Sequence, residues 1–111
     1  MSIQLDELQD RVAIWAKRNF GARRKSYQRL LGATEELGEL CHAHVKEEQG
    51  IRDGLDKLKT FQKKCDAIAD IIICLTDYAH LEGISVQGCI DETWPVVEKR
   101  DWKKDPIKGG E

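Results

Sequence analysis

The sequence predicts an all-α fold of four or five helices, with two long antiparallel central helices forming a bundle completed by oligomerisation. Three observations predict it. Only two prolines occur in 111 residues, and one of them, Pro106, falls in the C-terminal tail. Apolar residues recur at the i, i+3, i+4, i+7 spacing of a helix face. No stretch shows the period-two alternation of a half-buried strand.

Each element has its own signals. Ser2 is placed to cap a first helix running to about Phe20, with Leu5, Leu8, Val12, Ile14 and Trp15 at roughly helical spacing. Gly21 ends it. Ala22-Arg23-Arg24-Lys25 is a basic connection, and Ser26 is the candidate cap of a second helix reaching about Glu48. Leu30, Ala33, Leu37, Leu40, Cys41 and His44 or Val45 form its apolar stripe. Two glycines mark Gln49–Gly54 as a loop.

The third helix starts between Leu55 and Phe61 and runs to about Glu82, where Gly83 stops it. Its stripe is Ile68, Ile71, Ile72, Leu75, Tyr78 and Ala79. Ser85 caps a fourth helix through Arg100 or Asp101, in which Pro95 predicts a kink or a detached last turn. Residues 103–111 read as a flexible tail, leaving 1–102 as the domain.

Composition narrows the function. A net charge of -2, with 41% hydrophobic and 34% charged residues, argues against nonspecific nucleic-acid binding, which needs a basic excess. No apolar run approaches the roughly 18 residues of a membrane span, and Met1-Ser2-Ile3-Gln4-Leu5-Asp6 does not read as a signal peptide. Cys41, Cys65, Cys74 and Cys89 form no CxxC pair, and three of them sit among apolar helix positions. Buried, reduced thiols in a cytoplasmic protein are therefore expected.

The carboxylates carry the chemistry. On a helix turning about 100° per residue, Glu35 and Glu39 lie about 40° apart and Glu36 and Glu39 about 60° apart. Their mutual repulsion disfavours such a cluster unless a cation intervenes. Asp70 interrupts the apolar run Ala69-Asp70-Ile71-Ile72-Ile73, where an ionised group is costly unless neutralised. Asp66 shares its face one turn earlier, and Asp77 continues it.

Taken alone, the three glutamates read as a solvated helix face. Set beside Asp70, they read as ligands projecting from two adjacent helices. Hard oxygen donors select Mg²⁺, Mn²⁺ or Ca²⁺ over zinc, and a Mg²⁺ site keeps positions for water and substrate phosphates. Cations for such phosphates stand at Arg23, Arg24 and Lys25 and at Lys99, Arg100, Lys103 and Lys104. Each group also reads as a solvated helix end.

Thr34-Glu35-Glu36-Leu37-Gly38-Glu39-Leu40 is an EExxE motif, Asp66-Ala67-Ile68-Ala69-Asp70-Ile71-Ile72-Ile73-Cys74-Leu75 looks like its second half, and Glu98-Lys99-Arg100-Asp101-Trp102 resembles the basic end of a last helix. From Trp15 to Trp102 the chain is similar to the MazG-like all-α nucleoside triphosphate pyrophosphohydrolases. The resemblance implies hydrolysis of a nucleoside triphosphate to the monophosphate and pyrophosphate, as nucleotide-pool house-cleaning. Mg²⁺ would be the cofactor, with Mn²⁺ as a substitute.

Carried over by position, the family's metal ligands are Glu35, Glu36 and Glu39, with Asp70 as the second-motif aspartate. The family's second glutamate falls at Ala67, so Asp66, one residue earlier, stands in for it. Glu35 or Glu36 would orient or deprotonate the attacking water. Lys46, Lys99 and Arg100 would hold phosphate oxygens, and Phe20 would stack on the base. Phe20 otherwise reads as a core aromatic, and Trp15 and Trp94 as core or subunit-interface residues.

Two other readings compete. Glu39–His42 and Asp77–His80 supply ExxH and DxxH steps of a di-iron carboxylate bundle, but the first and fourth helices offer no obvious further glutamates. Ala67 favours a non-catalytic dimerisation or adaptor module with vestigial carboxylates. The wide apolar face of the two long helices predicts a homodimer or homotetramer.

Overall fold

A computed structural model describes residues 2–110, which contain helices and turns and no strand. Helix α1 spans Leu5–Phe20, α2 Ser26–Gln49, α3 Lys57–Leu81 and α4 Val86–Val97, with a 3-10 turn at Arg52–Leu55. The expected all-α architecture with two long central helices is the observed one. Met1 and Glu111, the outer ends of the two expected spans, lie outside the described residues.

Caps explain the starts. Asp56 accepts the Lys59 N–H at 3.0 Å to begin α3, and Ser85 Oγ accepts the Gly88 N–H at 3.0 Å to begin α4. The two serines expected earlier do not act this way. Gln4, not Ser2, precedes α1 and makes no side-chain cap. Ser26 is the first residue of α2 rather than its cap; Lys25 caps it, donating its N–H to Gln28 Oε1 at 3.0 Å. Helix α4 ends at Val97, short of Arg100: Pro95 in its last turn has no N–H to donate, and beyond Glu98 the N–H groups of Lys99 and Arg100 turn to the nearer carbonyls of Val96 and Val97.

Helices α2 and α3 form an antiparallel hairpin. Near its loop Lys64 Nζ meets Glu47 Oε1 at 2.6 Å, and at the far end Arg29 Nε lies 2.9 Å from Asp77 Oδ2. The 3-10 turn is pressed under the end of α2, where a Cβ on Gly54 would overlap the Lys46 carbonyl. Helix α1 packs on α3, and α4 packs on α1. The buried Gln9 amide joins them, donating to Ile84 O at 2.7 Å and accepting the Val86 N–H at 3.0 Å.

The interior is built from small residues. Its apolar members are Val12, Ala13, Ala16, Ala33, Ala43, Ala67, Cys74 and Ala79, which let helices approach closely but bury little area each. Many large side chains face outward, while Leu8, Leu40, Ile71, Ile73 and Leu81 are half-buried. Leu30, Leu37 and Val45 on α2 and Phe61, Ile68, Ile72 and Leu75 on α3 are all exposed. Of the stripe expected on α3, Ile68, Ile72 and Leu75 are exposed, Ile71 and Tyr78 are half-buried and Ala79 is buried, while Thr60, Ala67 and Cys74, seven residues apart, line the inner face. Cys41, Cys65 and Cys89 are exposed, so only Cys74 is the buried thiol expected; Trp15 and Trp94 also lie open rather than in the core.

Residues 103–110, expected as a loose tail, carry turns of their own. Asp101 N–H donates to Gly109 O at 2.8 Å, and Asp105 accepts the N–H groups of Ile107, Lys108 and Gly110. These bonds hold the Asp105 carboxyl below its ordinary range.

Candidate metal centre

The middle of α2 carries Glu35, Glu36 and Glu39, and one carboxylate oxygen from each lies within 4.8 Å of the others. Across from them α3 presents Asp66 and Asp70. A cavity of about 420 Å³ between the helices is lined by Glu36, Glu39, His42 and Ala43 from α2 and by Lys63, Asp66, Ala67 and Asp70 from α3. Four of the candidate ligands thus converge on one space. Glu35 belongs to the glutamate cluster but is exposed and does not line the cavity.

Glu36 is the electrostatic centre. It is half-buried, and that desolvation, followed by the charges of Glu39 and Asp70, pushes its carboxyl above the ordinary value. A hydrogen bond with Glu39 and the charge of Glu35 act in the same direction. Like charges gathered around one carboxyl are what a bound cation relieves.

One expectation needs correction here. Asp70 is exposed, not enclosed by its apolar neighbours. Ile71 points about 100° away around the helix, so adjacency in sequence does not desolvate the aspartate. Ala67, where the family pattern asks for a glutamate, is 3% exposed and lines the cavity beside Ala43. Asp66 reaches the same cavity from the neighbouring position.

The expected phosphate and base contacts lie elsewhere in the single chain. Lys99 and Arg100 line a separate cavity of about 260 Å³ with Pro95, Val96, Gly109 and Gly110. Lys46 Nζ donates to Gln49 Oε1 at 3.1 Å. Phe20, at the end of α1, is exposed, with the Trp15 ring edge-on at 5.4 Å and the Arg29 guanidinium 4.9 Å over its face.

The cation that does line the carboxylate cavity is Lys63, whose Nζ donates to Asp53 Oδ2 at 2.7 Å. Its place three residues before Asp66 was the signal for it.

Asp77 has a different role from its neighbours on α3. It is wholly buried and held by Arg24, whose Nε and Nη2 donate to its two oxygens at 2.9 and 2.7 Å. That hydrogen-bonding holds the Arg24 guanidinium even more firmly protonated than usual. Arg24 is therefore a buried clamp rather than part of a solvated basic end. Asp77 is turned onto Arg24 and Arg29, while His80 of the DxxH step is exposed. The chain matches no protein-family model, and no curated protein and no solved structure matches it.

Proposed function

We propose that the chain is a divalent-metal-dependent nucleoside triphosphate pyrophosphohydrolase of the MazG-like all-α class, with Mg²⁺ as its cofactor and Mn²⁺ as a substitute. The observation that carries this reading is the convergence of Glu36 and Glu39 with Asp66 and Asp70 on one cavity between α2 and α3. The donor set fits: it offers hard carboxylate oxygens, and the crowding around Glu36 is of the kind a cation relieves. Glu36, Glu39 and Asp70 would hold the metal, with Asp66 beside them.

A bound Mg²⁺ supplies charge neutralisation of the triphosphate and lowers the pKa of water. Glu35 or Glu36 would orient the attacking water or take its proton. Lys63 adds a cation at the cavity wall for phosphate oxygens. Three exposed free cysteines suit a reducing compartment, and we place the protein in the cytoplasm, clearing unwanted nucleotides.

The working unit is a homodimer or homotetramer. The chain exposes 8550 Å², where a compact monomer of 12.7 kDa exposes about 6,200 Å². Its radius of gyration is 17.4 Å, against about 13 Å for a compact chain of this length. A second copy covering the outward apolar faces accounts for both. It is also the means by which Phe20, Lys46, Lys99 and Arg100 reach a carboxylate cavity they do not line in one chain.

Pyrophosphate release from a panel of standard and modified nucleoside triphosphates with Mg²⁺ or Mn²⁺ tests the activity. Release from at least one substrate, lost in folded Glu36→Gln and Asp70→Asn, is expected. The buried Ala67 favours a second reading, a helical adaptor with vestigial carboxylates, and a panel with no release would sink the enzymatic reading.

A further inference from the structure

Two guanidiniums converge on one carboxylate at the far end of the α2–α3 hairpin. The Asp77 side chain is 0% exposed, that of Arg24 4% and that of Arg29 12%. Arg24 takes both Asp77 oxygens and also donates to Gly21 O at 3.1 Å, so each of its three nitrogens has an acceptor. Arg29 is not matched in this way. Its Nε is buried 2.9 Å from Asp77 Oδ2, yet it is aligned with no hydrogen-bond acceptor among the described residues. Two cations against one anion leave a positive charge largely withdrawn from water, which is costly unless another anion joins it.

An opening stands beside that charge. A cavity of about 360 Å³ is lined by Phe20, Arg24, Gln28 and Arg29, with no carboxylate in its lining. Gln28 Oε1 already accepts the Lys25 N–H, so the side chain has its amide donors left to offer. The Arg29 guanidinium lies 4.9 Å over the Phe20 ring. The lining is thus cationic and donor-rich, with one aromatic wall.

We propose that this cavity is a second, phosphate-binding pocket, anchored by Arg29 and backed by the rigid Arg24–Asp77 pair. Arg29 precedes Glu36 by seven residues and Asp77 follows Asp70 by seven. On antiparallel helices this sets the pocket about 10 Å along the hairpin from the carboxylate centre. A phosphate held there belongs either to the far end of a ligand that also reaches the carboxylates or to a separate phosphate-bearing ligand. The pocket itself stands on Arg24, Arg29 and Asp77 and does not depend on the metal reading.

The test is calorimetric titration of the full chain with inorganic tripolyphosphate, with and without Mg²⁺, in wild type, Arg29→Gln, Arg29→Lys and Glu36→Gln. Wild type binds, and Arg29→Gln binds about tenfold more weakly or worse, because the forked, charge-assisted contact is gone. Arg29→Lys falls between them, since an ammonium keeps the charge without the fork. It also decides the matter should Arg29→Gln fail to fold.

Binding that survives without Mg²⁺ and in Glu36→Gln identifies a separate ligand. Binding that needs both Mg²⁺ and Glu36 identifies one molecule spanning the two sites. No binding to wild type under either condition, or wild-type affinity in the folded Arg29 variants, overturns the pocket. Metal binding measured alone reports on the carboxylate centre separately.

Discussion

Asp77 Oδ1 accepts a hydrogen bond from Arg24 Nη2 at 2.7 Å, with neither side chain open to water, and so ties the α1–α2 connection to α3. Removing one partner of a buried ion pair leaves the other charge uncompensated, typically at about 3–5 kcal/mol. Asp77→Ala strands both Arg24 and Arg29 and is expected to lose that much stability in urea unfolding. Since small domains hold only about 5–15 kcal/mol in total, much of the protein should be unfolded at elevated temperature. A loss below about 1 kcal/mol would show the clamp to be dispensable.

Glu36 gives the metal-free protein a particular response to pH. Burial and the charges of Glu39 and Asp70 raise its carboxyl, so the folded state binds that proton more tightly than the unfolded chain does. Its contribution to stability therefore falls as pH climbs from the ordinary glutamate value through the raised one. Glu47 and Asp53 run the opposite way: hydrogen bonds from Lys64 and Lys63 hold them low. Their contribution is complete above their unfolded values and is lost as acid titrates them through the lowered ones. Without metal, Glu36→Gln should therefore melt higher than wild type near pH 7, and the gap should close by about pH 4. Equal melting temperatures at neutral pH would remove the crowding that motivates a cation there.

Metal should reverse that ranking. A ligand that binds only the folded state, present at a hundred times its Kd, adds about 2.7 kcal/mol. Wild type should gain melting temperature with Mg²⁺ or Mn²⁺ and return to its starting point with chelator. Glu36→Gln and Asp70→Asn should show no gain, and Asp66→Asn a reduced one, since Asp66 is the substitute ligand. Thermal melts across a metal titration measure all four proteins. Gains of wild-type size in Glu36→Gln and Asp70→Asn would place the ion elsewhere.

Local rules made part of this legible. Helical spacing sufficed to bring Glu36, Glu39, Asp66 and Asp70 to one cavity, because their positions on two neighbouring helices fix where their side chains lean. Spacing did not reveal which face of α3 turns inward. Ile68, Ile72 and Leu75 outweigh Ala67 and Cys74 on any hydrophobicity scale, yet close helix contact selects the small residues. The clamp between Arg24 and Asp77 joins residues 53 apart and leaves no local pattern. Arg24 consequently read as one of a run of solvated basic residues.

The outward isoleucines lead to the prediction about assembly. Leu37 follows the half-buried Glu36 and Ile68 follows the buried Ala67, so each points about 100° away from the hairpin's inner face. Because α2 and α3 are antiparallel, the same rotation turns both toward the same side. Leu30, Leu37, Phe61, Ile68 and Ile72, all exposed, then share one apolar surface. Apolar patches on monomers rarely exceed a few hundred Å², and the chain as a whole exposes roughly 2,300 Å² more than a compact monomer of its mass. Sedimentation at micromolar concentration should find wild type as a dimer or tetramer. Leu37→Glu combined with Ile68→Glu places like charges on that surface in both copies and should shift the protein to monomer. If the proposed activity requires the second copy, pyrophosphate release should fall with the dimer. Wild type sedimenting as a monomer at these concentrations would refute the assembly, leaving the carboxylate cavity to be judged by its metal response alone.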